Sequence, residues 1–124
     1  MIGYITLGTN NFERAASFYD GLLAEFGAQR VRDTEMYIAW GTGPAQTALS
    51  IIKPFDEKPA TVGNGVMVSL YGGSQEKVHN VYAKALELGA TDEGEPGPRG
   101  DTGFYGAYFR DLDGNKLCVF YIAQ

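Results

Sequence analysis

Apolar and polar residues alternate over residues 2–8, with Ile5 and Leu7 on one face of a two-residue repeat and Tyr4 and Thr6 on the other. That period predicts a strand. From Ala15 the period changes. Phe18, Tyr19, Leu22, Leu23 and Phe26 continue it at the spacing of one helix face. Asn10 or Asn11 is placed to cap this helix, with Glu13 three residues beyond Asn10 as in a capping box. Gly27 is a natural residue to end it. Three short strand-like runs follow at residues 29–33, 36–40 and 47–53, separated by polar and Gly/Pro turns. Residues 54–64 carry Pro54, Pro59, Gly63 and several charges, and read as a linker.

The pattern then restarts. Residues 65–71 predict a strand, with Val66, Val68 and Leu70 on one face and Met67, Ser69 and Tyr71 on the other. Ser74 is placed to cap a helix whose stripe is Val78, Val81, Tyr82, Ala85 and Leu86, with Gly89 at its end. Residues 91–102 read as a polar Gly/Pro loop. Residues 103–122 are two aromatic and β-branched runs around Asp111-Leu112-Asp113-Gly114-Asn115, which predicts a hairpin. A five-residue loop would pair Arg110 with Lys116 and Tyr108 with Cys118.

The two halves superimpose. Tyr4 answers Met67, Phe18 answers Val81, Tyr19 answers Tyr82 and Leu23 answers Leu86, all at one offset of 63. The order strand, capped helix, Gly-Ala and further strands occurs twice, so the chain reads as a duplicated βαβββ unit. The predicted class is α+β: unit one at about 1–53, linker 54–64, unit two at about 65–124, in one domain spanning 1–124. Each four-stranded sheet has one helix, leaving the other face uncovered. Two such sheets edge to edge would curve into a trough. The helix-free side takes Tyr4, Thr6, Met67, Ser69, Cys118 and Phe120, with Phe104 and Tyr108 from the hairpin. This mixed polar and aromatic lining suits a small-molecule cleft.

Composition narrows the partners. A net charge of −5 argues against nucleic acid and against an anionic membrane surface. Cys118 is the only cysteine, so no internal disulfide or Cys-rich zinc site is possible. No basic segment followed by an apolar run opens the chain, and no stretch approaches the roughly 20 apolar residues of a membrane span. A cytoplasmic protein is the expectation. The Gly-rich stretches do not join a strand to a helix, so a nucleotide cradle is discarded.

Thr6-Leu7-Gly8, Arg14 through Phe18-Tyr19 to Leu22-Leu23, and Gly63-Asn64-Gly65 form an ordered series. Ser74 to Gly89-Ala90, Pro96-Gly97-Pro98-Arg99, Tyr105-Gly106-Ala107-Tyr108-Phe109 and Asp111 to Leu117 continue it. Over essentially its whole length the chain resembles the vicinal oxygen chelate superfamily, which includes glyoxalase I, extradiol dioxygenases and the fosfomycin and bleomycin resistance proteins. The resemblance implies one divalent metal held by His, Glu or Gln from the first and last strands of each unit. Those positions map to Tyr4, Met67, Cys118 and a fourth within residues 48–51, where Ala48, Leu49, Ser50 and Ile51 offer no good ligand. Mg²⁺, Mn²⁺, Zn²⁺ and Fe²⁺ want imidazole and carboxylate groups. Met and Cys suit Cu(I), but no His accompanies them. The only histidine, His79, lies on the second helix as a surface residue.

No metal or other cofactor is therefore expected. The resemblance implies a metal-free binder of a small organic molecule, similar to the drug-sequestering branch of the superfamily, forming a homodimer. The alternative is a metal-dependent lyase, isomerase or dioxygenase with an altered ligand set, and a third reading is a dimer without ligand. The expected ligand-binding residues are Tyr4, Trp40, Met67, Ser69, Arg99, Tyr108, Cys118 and Phe120. Tyr4 and Tyr108 either donate hydrogen bonds or simply fill space. Arg99 either clamps an anionic group or is solvated. Trp40 stacks on a ligand or belongs to a core or subunit interface. Cys118 is a nucleophile only if its pKa is lowered, and otherwise inert packing.

Overall fold

The computed structural model describes residues 1–124. The chain divides into two compact units, Met1–Val62 and Gly63–Gln124. The first runs β1 (Tyr4–Gly8), α1 (Phe12–Ala24), β2 (Gln29–Asp33), β3 (Tyr37–Gly41) and β4 (Ala48–Ile52). The second runs β5 (Val68–Tyr71), α2 (Gln75–Glu87), β6 (Thr91–Pro98), β7 (Phe104–Arg110) and β8 (Lys116–Ile122). Each sheet has one order, β1-β4-β3-β2 or β5-β8-β7-β6. In each the first and last strands are parallel and the remaining pairs antiparallel. The α+β class and the tandem βαβββ plan are as predicted.

An offset of 63 carries Phe12–Ala24 onto Gln75–Glu87 and the N-cap Asn11 onto Ser74. Both caps accept a hydrogen bond from the third backbone N–H of their helix, Arg14 N and Lys77 N. Asn11, not Asn10, is the cap, so Glu13 has no capping-box place. Asn10 instead binds Ala60 in both directions, its Oδ1 accepting from Ala60 N and its Nδ2 donating to Ala60 O. The helices end alike, on Gly27 and Gly89 with φ of 73° and 103°.

Two expectations are corrected. Residues 91–98 form β6 rather than loop, pairing with β7 through two register shifts, Asp92/Gly94 and Gly94/Gly97. Gly and Pro here mark an irregular edge strand, which composition does not distinguish from a loop. The strand expected from residue 65 starts at Val68. A turn closed by Val66 N to Gly63 O, with Gly65 at φ 97°, consumes Val66 and takes the chain up to Met67.

Each unit has its own core. α1 packs on β2, β3 and β4, burying Phe18, Tyr19 and Leu22 along with the Leu7, Ile38, Trp40, Leu49 and Ile51 side chains. α2 packs on β6, β7 and β8, burying Val78, Val81 and Ala85 along with Val68, Ala107, Phe109, Leu117 and Val119. Residues between these positions in the strands face away from the helix.

Candidate functional site

On the helix-free face of the second sheet, register sets Ser69, Cys118, Tyr108 and Gly94 in one row across four strands. The next row is Tyr71, Phe120, Gly106 and Gly97. The hairpin pairs as expected, Tyr108 with Cys118 and Arg110 with Lys116. Phe104 stacks on Phe120 with centroids 5.2 Å apart and planes 6° apart, and Tyr71 meets Phe120 edge-on at 5.6 Å. An aromatic cluster therefore lies beside a row of polar groups.

Arg99 follows β6 and folds back over this face. Its Nη1 donates to Gly97 O at 2.8 Å and its Nη2 to Glu95 O at 2.6 Å, fixing the guanidinium. Its Cζ is 5.3 Å from the centroid of the Tyr108 ring, and Lys116 Nζ is 5.6 Å from the same ring. The glycines of β6 make this possible. A Cβ on Gly94 would stand 2.9 Å from Tyr108 Cδ2 and 3.2 Å from Arg99 Nη2. Neither cation is in an ion pair, because Glu93 pairs with Arg110 and Asp92 accepts from Tyr82 Oη and Gly94 N. Two uncompensated positive charges thus share one aromatic ring.

Cys118 is fully buried between Ser69 and Tyr108 in the row, at 0% exposure. Burial pushes its thiol pKa up, while a hydrogen bond with the Ser69 side chain and the charges of Arg99 and Lys116 act against that rise. Burial also pushes the Tyr108 phenol up, with Cys118 adding to the effect and Arg99 opposing it. At neutral pH the row is a protonated thiol and a protonated phenol. A nucleophilic role for Cys118 has no support from this environment.

The first unit's helix-free face differs. The offset of 63 places Thr6 where Ser69 stands, and the parallel pairing puts Ser50 opposite Thr6 as Cys118 is opposite Ser69. Thr6 Oγ1 and Ser50 Oγ are 2.9 Å apart, and Ser50 Oγ also lies 2.9 Å from Ile5 O. Ala39, paired with Ser50, takes the place of Tyr108. Tyr4 is 63% exposed and borders a depression of about 410 Å³ with Tyr37, Val31 and Arg32. Two larger open grooves, about 530 and 470 Å³, lie on this unit beside Lys53. Convergent polar groups beside an apolar surface mark a binding site, and the second face has both.

Five expected site residues, Ser69, Arg99, Tyr108, Cys118 and Phe120, therefore share one face of the second unit. Met67 precedes β5 and is 41% exposed. Of the readings open for Trp40, the structure gives the core one: at 2% exposure it belongs to the first unit's core, with Nε1 donating to Asp20 Oδ1 at 2.8 Å and its ring against Tyr19. It is neither at a cleft mouth nor on the surface. Lys116 was missed, although its even-numbered place in β8 with Cys118 and Phe120 marks it for this face. His79 is exposed on α2, its Nε2 2.7 Å from Tyr105 Oη.

The residues at the implied metal positions do not suit a divalent ion. Tyr4, Met67 and Cys118 bring no imidazole or carboxylate, Cys118 has the charges of Arg99 and Lys116 near it, and no three His, Cys, Asp or Glu residues gather anywhere in the chain.

The sequence model of the Glyoxalase/Bleomycin resistance protein/Dioxygenase superfamily matches residues 1–119. A glyoxalase/bleomycin resistance protein from Albidiferax ferrireducens T118 has a solved structure that superimposes with a TM-score of 0.89 at 30% identity, covering 99% of each chain. A lactoylglutathione lyase from Agrobacterium tumefaciens gives 0.72 at 20% identity, covering 98% of this chain and 92% of that one. The fosfomycin resistance protein FosX from Mesorhizobium loti gives 0.71 at 17%, covering 99% and 92%. The last two likenesses concern the fold alone. No curated protein matches the chain.

Proposed function

Since the chain belongs to the Glyoxalase/Bleomycin resistance protein/Dioxygenase superfamily, we propose that it is a metal-free small-molecule binding protein that uses the helix-free face of its second unit. One observation carries this reading. The last-strand position where the family resemblance implies a metal-binding carboxylate is Cys118, a buried thiol paired with Tyr108, whose ring Arg99 and Lys116 approach. Nearby positive charge and the lack of imidazole or carboxylate partners disfavour a divalent cation, whereas aromatic and hydroxyl groups there suit an organic ligand. Tyr108 and Ser69 supply hydrogen-bonding hydroxyls, and Phe104, Phe120 and Tyr71 supply apolar area.

Elemental analysis of purified protein tests the reading directly. The expected result is no stoichiometric divalent metal, and Cys118→Ala leaves metal content unchanged. A one-to-one divalent ion that disappears in Cys118→Ala overturns it. The homodimer implied by the resemblance is read separately, by sedimentation at high concentration, with a mass of twice 13.4 kDa expected.

A further inference from the structure

The charge on the second unit's face is out of keeping with the rest of the chain. Overall the protein carries −5, yet this face holds two cations without a carboxylate partner. Arg99 is also preorganised. Three backbone carbonyls, those of Glu95, Gly97 and Pro98, take bonds from its Nη1 and Nη2, so its orientation is set before any ligand arrives. Carbonyls orient a guanidinium without neutralising it. Lys116 has no hydrogen bond or ion pair, and its ammonium rests on the Tyr108 ring. Tyr108 Oη and the exposed Ser69 hydroxyl complete a polar edge, with the parallel Phe104–Phe120 rings on the neighbouring row. Arg110 is not part of it, because Glu93 and Gly114 O occupy its guanidinium.

We propose that this face binds a planar organic anion, with its carboxylate, phosphonate or sulfonate head drawn by the Arg99 and Lys116 charges that approach the Tyr108 ring and its flat body against the Phe104–Phe120 pair. The inference rests on the binding-protein reading and adds the sign of the ligand's charge. Charge-assisted hydrogen bonds are the strong ones, and here both donors are cationic and lack a competing carboxylate. Aromatic faces next to them reward a flat apolar body over a hydrated inorganic ion. A cationic ligand would face two like charges, so this surface also selects against one.

Three matched probes test it: 2-naphthoate, 2-naphthamide and 2-naphthylmethylammonium, titrated into the full chain by calorimetry and by backbone amide shifts. Naphthoate is expected to bind about tenfold or more tightly than the amide, and the ammonium weakest. Shifts are expected at Ser69, Tyr108, Cys118 and Phe120. Added sodium chloride weakens naphthoate and leaves the amide unchanged. Lys116→Met keeps the stem and removes the charge, and is expected to erase most of the preference for the acid while amide binding persists. Arg99→Met does the same but also releases the end of β6, so Lys116→Met is the deciding variant. If the amide binds this face as tightly as the acid, the anion inference falls and the binding-protein reading stands. If none of the three probes shifts these residues, both fall.

Discussion

The two helix-free faces are built on one plan and have opposite chemistry. In the first unit the central row is Thr6, Ser50 and Ala39, small groups whose hydroxyls are satisfied by each other and by Ile5 O. In the second the same row is Ser69, Cys118 and Tyr108, with a fixed guanidinium and a free ammonium against the phenol ring. Duplication preserved the backbone and left the side chains to diverge. A closed hydroxyl network stabilises its own sheet and offers a ligand little, whereas uncompensated charges beside aromatics gain by meeting one.

The sharpest test of this division sets Trp40 against Tyr108. Trp40→Ala removes a fully packed ring from the first unit's core and should cost about 3–5 kcal/mol in denaturant unfolding, with probe affinity retained by the molecules still folded. Tyr108→Ala should cost much less in stability and lose the probe. Loss of binding in folded Trp40→Ala would break the assignment of function to the second unit. Gly94→Ala comes next. Its Cβ, 2.9 Å from Tyr108 Cδ2, must push the ring or Arg99 aside, and about 1–3 kcal/mol is expected together with weaker naphthoate binding.

Ser50→Ala should cost about 1–2 kcal/mol, since it removes a buried hydroxyl that bridges two strands. Ser69→Ala, on an exposed position, should stay within about 0.5 kcal/mol. Equal costs would mean that the two rows do not differ as described. The smallest effect is on titration. Tyr82, which the repeat matches to the buried Tyr19, has its pKa pushed up to about 12, chiefly by burial and then by its hydrogen bond to Asp92. The unfolded phenol ionises near 10.0, so this group's contribution to stability is complete below pH 10 and is lost as pH rises toward about 12. Phe substitution at Tyr82 should flatten that part of the stability curve. Cys118 should alkylate more slowly than a free thiol at neutral pH, since its pKa is raised and it is buried.

Much of the fold was legible because it is written locally. The two helices follow from apolar spacing, their caps Asn11 and Ser74 and the positive-φ glycines Gly27 and Gly89. The hairpin register followed from loop length, which is why Tyr108 opposite Cys118 was foreseeable. Trp40 was left open between ligand and core because β3 reads Tyr-Ile-Ala-Trp-Gly, too uniformly apolar for alternation to separate inside from outside. Only pairing with Leu49, which faces α1, settles its side. Strand β6 was hidden by its glycines, which look like loop residues until the side chains lying over them are seen.

By itself, the order of apolar and polar residues determined the repeat, the elements and which side of β8 carries Cys118 and Phe120, because these depend on periods of two and 3.6 residues. Tertiary structure alone decided that Arg99 reaches the Tyr108 ring. That contact depends on an irregular strand passing beneath it without a Cβ at Gly94, and on the three carbonyls that hold the guanidinium. Charge placed by long-range pairing leaves no periodic trace along the chain. The strand rows of this face were therefore readable in advance, and its electrostatics were not.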